Sequence, residues 1–184
     1  MNKTLMLKSV CMAGVLALCG GVSAADKIPA AEYRAAKDRI EADYKADKAR
    51  CDALSGNAED ICEEEAEAKE KVAKAELEYR RTGSAKDAEK LALVKAEAAY
   101  EVAEERCEDK AGNDKDVCLK EAKAARTSAE ADAKAARAGG EARREAADDK
   151  REANYEAAAE KCDALAGDAK SQCIGSAKAR FGKS

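Results

Sequence analysis

The sequence predicts an all-α protein made of three tandem antiparallel helical hairpins, each stapled by one disulfide, in an extended arrangement with a thin core. Three observations support this fold class. The chain is rich in helix-forming and charged residues, one unit of sequence occurs three times, and two cysteines lie symmetrically about the centre of each unit. The first observation predicts the secondary structure, and the other two predict how the helices pair.

The composition favours exposed helices over a compact domain. Of 184 residues, 46 are alanine and 72 are Lys, Arg, Asp or Glu, and alanine and the charged residues Glu, Lys and Arg are strong helix formers. Leu, Ile, Val and Phe supply only 15 of the 159 residues after position 25. That share is well below the roughly 20% expected of a globular core. There is no histidine, so sites that need an imidazole base or ligand are excluded. We therefore expect no enzymatic activity and no cofactor.

Residues 1–24 are typical of a cleaved signal peptide. Lys3 and Lys8 form a positive n-region, residues 10–19 form a short apolar run, and cleavage after Ala24 or Ala25 follows small residues. The apolar run is far shorter than the roughly 20 residues that cross a bilayer. We expect a periplasmic protein with no stable membrane anchor after the leader is removed.

The charge balance disfavours some partners. After residue 25 the chain carries 32 basic and 38 acidic groups, a net charge of −6. Nucleic acid and anionic lipid both favour a basic surface, so we expect no nucleic-acid partner. The high charge density is interpreted as a solvated helix surface.

Six cysteines after the leader mark an internal triplication. They form three C-x10-C pairs: Cys51 with Cys62, Cys107 with Cys118, and Cys162 with Cys173. A tyrosine stands seven residues before each first cysteine: Tyr44, Tyr100 and Tyr155. An alanine follows each second cysteine by four residues: Ala66, Ala122 and Ala177. The shared offsets indicate three copies of one unit.

The centre of each unit predicts a helix end followed by a helix start. The junctions are Gly56-Asn57, Gly112-Asn113 and Gly167-Asp168. Glycine is expected to end the first helix in a left-handed conformation, and Asn or Asp to cap the second helix. The residue three places later is expected to complete a capping box: Asp60, Asp116 or Ser171.

This turn geometry predicts the disulfides. Each first cysteine lies five residues before the glycine, and each second cysteine lies five residues after the Asn or Asp. Residues equidistant from the turn of an antiparallel hairpin face each other, so of 15 pairings we expect the local one within each unit. Such a bond contributes roughly 3 kcal/mol by constraining the unfolded chain. A redox or metal site is the alternative interpretation of these cysteines.

The repeated tyrosine and alanine are interpreted as the small core of each hairpin. Each tyrosine lies two helical turns before its cysteine and therefore on the face of the disulfide, while the alanine across the hairpin leaves room for the ring. A ligand-binding ladder of tyrosines is the alternative.

The glycines at Thr82-Gly83-Ser84 and Gly139-Gly140 predict the unit boundaries, with Ser84 and Asp87 as a cap pair. The expected units are 25–82, 83–139 and 140–184. The expected helices are 29–55, 57–81, 84–111, 113–138, 141–166 and 168–181.

Large apolar residues are unevenly distributed. A cluster around the first boundary predicts that the first two units pack together there: Val72, Leu77, Tyr79, Leu91, Leu93, Val94, Tyr100 and Val102. Residues 120–154 are expected to form a helix with no tertiary partner. The composition is coiled coil-like, but Leu or Ile is not sustained at a and d positions, so no tight coiled-coil dimer is expected.

Charge pairs four residues apart are expected to support the helices. The pairs are Glu65 with Lys69, Glu67 with Lys71, Glu70 with Lys74, Glu76 with Arg80, and Glu130 with Lys134. Each contributes only a few tenths of a kcal/mol.

The C-x10-C units resemble those of a group of uncharacterised, alanine-rich exported proteins of Gram-negative bacteria, often labelled TolA-like or cell envelope biogenesis proteins. The resemblance covers residues 44–68, 100–124 and 155–179 and rests on the Tyr-x6-Cys and Gly-Asn pattern. The third unit departs from it at Asp168, Ser171 and Ser176. The resemblance implies an envelope location. Likeness to TolA itself is confined to an Ala-Lys-Glu helical composition.

Three hypotheses for function follow. The first is a non-enzymatic periplasmic scaffold or interaction protein of the cell envelope with an envelope protein as partner. The second is a periplasmic stress chaperone that holds unfolded clients on an apolar stripe within residues 72–102. The third is a thiol redox or metal-binding protein. The sequence leaves the oligomeric state and the identity of the partner open.

Overall fold

The computed structural model describes residues 28–183, which form five α-helices and no strand. In chain order the helices are α1 (Ala30–Cys51), α2 (Asn57–Thr82), α3 (Ala85–Glu108), α4 (Gly112–Cys162) and α5 (Gly167–Phe181). The predicted all-α class is confirmed. The predicted signal peptide lies outside the described residues. Among the five described helices, none has an apolar stretch long enough to cross a bilayer.

The three predicted disulfides are confirmed. Cys51 is bonded to Cys62, Cys107 to Cys118 and Cys162 to Cys173. The Cα atoms of each pair are 5.5 to 5.7 Å apart, within the usual range for a disulfide. The first cysteine of each pair is fully buried and lies at the end of its helix: Cys51 and Cys162 are the last residues of α1 and α4, and Cys107 is the last but one of α3. Each disulfide thus joins the end of one helix to the first turns of the next.

The same turn connects the helices in all three units. The carbonyl oxygen of the first cysteine accepts a hydrogen bond from the backbone N–H three residues later: from Leu54, Lys110 and Leu165. A glycine with φ near +58° then stands at the start of the next helix: Gly56 directly precedes α2, and Gly112 and Gly167 are the first residues of α4 and α5. Only glycine adopts this backbone conformation without strain, which explains its presence in each unit.

The predicted caps at these turns are wrong. The first helix of each unit ends at the cysteine or one residue after it, four or five residues before the glycine, and no side chain caps α2, α4 or α5. Asn57, Asn113 and Asp168 are in the first turn of their helices, beyond the capping position. The glycine turns the chain directly into the next helix, so the residue after it is already helical. The predicted cap at Ser84 does form, since its Oγ accepts a hydrogen bond from the N–H of Asp87 at 3.0 Å.

The described helices contact only their neighbours along the chain. α1 contacts α2, α2 contacts α3, α3 contacts α4, and α4 contacts α5, with no contact between any other pair of described helices. The hairpins therefore form an open row and do not surround a common core. Because successive helices run in opposite directions, the turns of units one and two lie at the same end of the row, and the turn of unit three lies at the far end of α4.

The predicted helix boundary at Gly139-Gly140 is wrong. α4 is one continuous helix of 51 residues, about 77 Å long, and it replaces the two helices predicted at 113–138 and 141–166. Neither glycine has a positive φ, so neither acts as a helix stop. The flanking residues are strong helix formers, and a glycine inside a helix costs only about 1 kcal/mol relative to alanine.

The expectation that residues 120–154 have no partner is also wrong for the first half of that segment. Two arginines of α4 form ion pairs with α3: Arg126 with Glu97 at 3.1 Å and Arg137 with Glu89 at 2.7 Å. Ala133 is buried between the helices, with 7% of its surface exposed. Residues 141–154 are all exposed, but Glu152 pairs with Lys183, and α4 lies beside the end of α5 from Ala147 onward. Small and charged residues provide the packing that large apolar residues would normally supply.

The buried core of the described chain contains few large side chains. It consists of three half-cystines, one leucine and six alanines: Cys51, Cys107, Cys162, Leu77, Ala66, Ala75, Ala96, Ala98, Ala133 and Ala177. α2 and α3 pack together around the first boundary, as predicted, with Leu77 buried and Tyr79 39% exposed. The remaining members of the predicted apolar cluster are half-buried. The helices thus approach closely through alanine.

The third hairpin is expected to depend most strongly on its disulfide. α5 has only 15 residues and contacts only α4 among the described helices, and an isolated helix of this length is marginal in water. In a Cys162→Ser/Cys173→Ser variant we expect α5 to unfold, with a loss of about 3 kcal/mol in local stability. Amide hydrogen exchange measures the change, helix by helix.

The Cys51→Ser/Cys62→Ser variant is the matched control, because it removes the equivalent bond from the longer helices α1 and α2. We expect it to lower the protection of α1 while α5 remains protected. Continued protection of α5 without Cys162 and Cys173 would contradict this dependence.

Candidate interaction surface

A shallow groove of about 650 Å³ lies between α3 and α4. Its floor and walls are mainly alanine, four residues from α3 and five from α4: Ala92, Ala96, Ala99, Ala103, Ala122, Ala125, Ala129, Ala133 and Ala136. These residues are spaced by three or four positions, so each set forms a stripe along one face of its helix. We call this surface the alanine groove. Its mainly apolar lining is suited to packing against another helix.

The alanine groove was not predicted from the sequence. The prediction of helix packing rested on Leu and Ile at a and d positions, and alanine was interpreted as a helix former or, at Ala66, Ala122 and Ala177, as the small neighbour of a tyrosine ring. The signal that could have found it is the three- and four-residue spacing of alanine on α3 and α4. This signal is weak, because alanine is frequent throughout the chain and occurs at many spacings by chance.

Arg126 forms one side of the alanine groove together with Tyr100. The guanidinium lies 4.1 Å from the centre of the Tyr100 ring, and its Nη1 donates to both carboxylate oxygens of Glu97 at 3.1 and 3.2 Å. The Tyr100 hydroxyl donates to Glu104 at 3.1 Å, and this hydrogen bond raises the pKa of the phenol. The contact of the guanidinium with the Tyr100 ring and its ion pair with Glu97 fix Arg126 between α3 and α4.

A second arginine holds the far end of the alanine groove. Arg137 donates to Glu89 on α3 at 2.7 Å and to Glu141 on α4 at 2.8 Å. These two hydrogen bonds raise the pKa of the guanidinium further above its ordinary value. Arg126 and Arg137 thus anchor α4 to α3 over about three turns.

On its other side, α3 is joined to α2 by ion pairs. Lys71 lies 2.7 Å from Glu101 and Lys95 lies 2.7 Å from Glu76, while Arg106 pairs with Glu65. Several of these residues had been predicted to pair within α2. Glu65 and Glu76 bind cations of α3 instead, because the neighbouring helix brings those cations within reach. The predicted pairs of Glu70 with Lys74 and of Glu67 with Lys71 do form, at 2.8 and 4.0 Å.

Glu64 is the carboxylate most affected by burial at this interface. Desolvation raises its pKa, and repulsion from Glu101 and Glu67 adds to the effect, while Lys71 opposes it. Its Oε1 accepts no hydrogen bond, since the nearest lysine nitrogen is 3.6 Å away. Glu64 thus has one buried carboxylate oxygen that faces Lys71 without a hydrogen bond.

Asp47 is a buried charge that the sequence analysis did not identify. Only 9% of its surface is exposed, and its carboxylate binds Lys69 of α2 at 2.6 Å and also pairs with Arg50. The hydrogen bond from Lys69 is the largest of the effects that lower the pKa of Asp47, and burial opposes it. The corresponding positions of the other units are Ala103 and Ala158, so the repeat pattern gave no indication of this site.

The repeated tyrosines lie in three different interfaces. Tyr44 lines a small cavity of about 30 Å³ together with Ala66, Tyr100 lines the alanine groove with Ala122, and Tyr155 lies 5.7 Å from the ammonium of Lys183. All three rings are half-buried. The tyrosines therefore do not converge on one ligand site.

Residues 28–183 contain no group of three or more His, Cys, Asp or Glu side chains placed to hold a metal ion. The six cysteines in this part of the chain are all in disulfides. Disulfides of this kind persist in an oxidising, extracytoplasmic compartment. The chemistry that the described surface offers is helix packing and ion pairing.

Comparison of the chain with protein-family models, with curated proteins and with solved structures gives no match.

The ion pair between Asp47 and Lys69 is expected to make the contact of α1 with α2 sensitive to acid. Because the pKa of Asp47 is lower when folded than its ordinary value of 3.8, the carboxylate stabilises the folded state at neutral pH. That contribution is lost as the pH falls through the lowered pKa. An Asp47→Asn variant should be less stable than the parent at pH 7. The difference between their free energies of unfolding should shrink as the pH is lowered toward 2. Urea unfolding between pH 7 and pH 2 measures this difference.

Asp43→Asn is the control, since it removes an exposed carboxylate from the same helix. We expect it to leave stability at pH 7 close to that of the parent. An Asp47→Asn variant as stable as the parent at pH 7 would show that the buried pair does not stabilise the fold.

Proposed function

We propose that this protein is a non-enzymatic scaffold or interaction protein of the cell envelope, located in the periplasm, that binds a helix of a partner protein. The observation that carries the proposal is the alanine groove. It is apolar at its centre, lies on helices anchored to each other by Arg126 and Arg137, and is not covered by any other described part of the chain.

The chemistry of the alanine groove favours a helical partner. Two parallel stripes of methyl groups allow a third helix backbone to approach closely, and residues at helical spacing on the partner would fit between them. Asp132 at the rim provides a negative charge for orientation. An amphipathic helix with small or apolar residues on one face fits these features better than an extended peptide, which would need a free strand edge for pairing.

The location rests on two separate arguments. The three disulfides fit an oxidising compartment. The predicted signal peptide and the resemblance to exported alanine-rich proteins narrow this to the periplasm.

Site-specific photo-cross-linking in intact cells tests the proposal. A photoreactive amino acid at Ala129, an exposed residue of the alanine groove, should give one discrete adduct. Ala131 is the matched control because it is also exposed on α4 but faces away from the groove. We expect no adduct there. An added Ala99→Glu substitution places a charge in the groove and should reduce the Ala129 adduct at least tenfold without reducing helix content.

The outcomes separate the proposal from its alternatives. Equal labelling at Ala129 and Ala131, or no labelling at either, would contradict a groove partner. A broad ladder of adducts that grows under unfolding stress would instead favour the chaperone. Non-reducing peptide mapping of the cellular protein tests the redox hypothesis, because a structural role requires all six cysteines to stay in disulfides.

A further inference from the structure

Gly139 and Gly140 lie where α4 changes partners. The arginine that ties α4 to the beginning of α3 is Arg137, and the residues of α4 that face the end of α5 begin at Ala147. Between these points α4 runs through solvent, and residues 141–154 are all exposed. The glycines therefore mark the beginning of the part of α4 that has the least tertiary support.

Packing does not explain why these residues are glycines. A Cβ at Gly139 would come no closer than 3.5 Å to the Arg143 side chain, an ordinary contact, and a Cβ at Gly140 would meet nothing within 4 Å. Neither backbone has a positive φ. Alanine would therefore fit at both positions and would favour the helix by about 1 kcal/mol at each. Alanine is frequent in this chain, with 46 copies, yet two adjacent glycines stand at this point. They lower the stability of the helix where tertiary packing does not compensate for the loss.

Little else holds the helix straight across the glycines. Arg137 pairs with Glu141 one turn later, and this ion pair spans both glycines at 2.8 Å. Exposed pairs of this kind contribute only a few tenths of a kcal/mol. On either side the helix is fixed, by α3 before residue 138 and by the Cys162–Cys173 disulfide and α5 after residue 147.

We propose that Gly139-Gly140 is a hinge between two rigid parts of the molecule. α4 exchanges between the continuous helix and bent forms in which the hydrogen bonds around the glycines open. The third hairpin, formed by the end of α4 and by α5, then changes direction relative to the first two hairpins while its disulfide stays intact. This inference concerns motion within the chain and does not depend on the proposed partner.

Distances across the glycines test the hinge. Genetically encoded keto amino acids at Lys123 and Glu156 carry spin labels without adding cysteines that would interfere with the disulfides. Both residues are exposed on α4, and in a straight helix they are separated by about 50 Å. For the parent protein we expect a broad distance distribution with a mean shorter than this. For Gly139→Ala/Gly140→Ala we expect a narrow distribution near about 50 Å and higher helix content.

Two controls identify the source of the effect. Labels at Glu121 and Lys134, both on the part of α4 that packs against α3, should give a narrow distribution in every variant. Gly175→Ala improves helix propensity in α5 at another position where a Cβ meets nothing within 4 Å, and it should leave the distance from Lys123 to Glu156 unchanged. A parent distribution as narrow and as long as that of the double alanine variant would overturn the hinge. So would equal narrowing by Gly175→Ala.

Discussion

The disulfide at each turn is the constraint on which the hairpins depend. The described chain buries one leucine, several alanines and the first cysteine of each pair, and so little apolar surface cannot by itself offset the entropy of ordering two long helices. The cross-link joins the helices at the turn, where the glycine reverses the chain. It fixes the register of each hairpin, and this register sets which charges and alanines face each other further along.

Away from the turns, alanine contacts and ion pairs act together. Alanine lets the helix axes approach closely, and at that separation the long side chains of Lys, Arg and Glu reach across to the neighbouring helix. Lys71, Arg106 and Arg126 all use this reach to bind carboxylates of another helix. Each exposed pair is weak, but a series of them selects one lateral arrangement of helices. The result is an open row with two accessible faces.

Local sequence rules determined the parts of the fold that could be predicted. Helix propensity gave the secondary structure, and equal spacing of cysteines about a glycine gave the disulfides, since both depend on residues near each other in the chain. The cap predictions at Asn57 and Asn113 were wrong because the left-handed glycine starts the following helix and does not end the preceding one. The continuity of α4 through Gly139 was missed because a glycine inside a helix costs little beside strong helix formers, whereas the burial of Asp47 depends on the neighbouring helix. The sequence of α1 alone does not indicate that burial, and the spacing of alanine on α3 and α4 indicates the alanine groove only weakly.

The order of the cysteines has a consequence for how the chain matures. Every disulfide joins two cysteines that follow one another along the described sequence, eleven positions apart, and no bond encloses another cysteine. As the chain emerges from a ribosome or a translocation pore, each hairpin can therefore close before the next pair of cysteines appears. Oxidation in order of emergence gives the native pairing directly. Maturation of the described part of the chain then requires an oxidant, but it does not require an isomerase to exchange incorrect bonds.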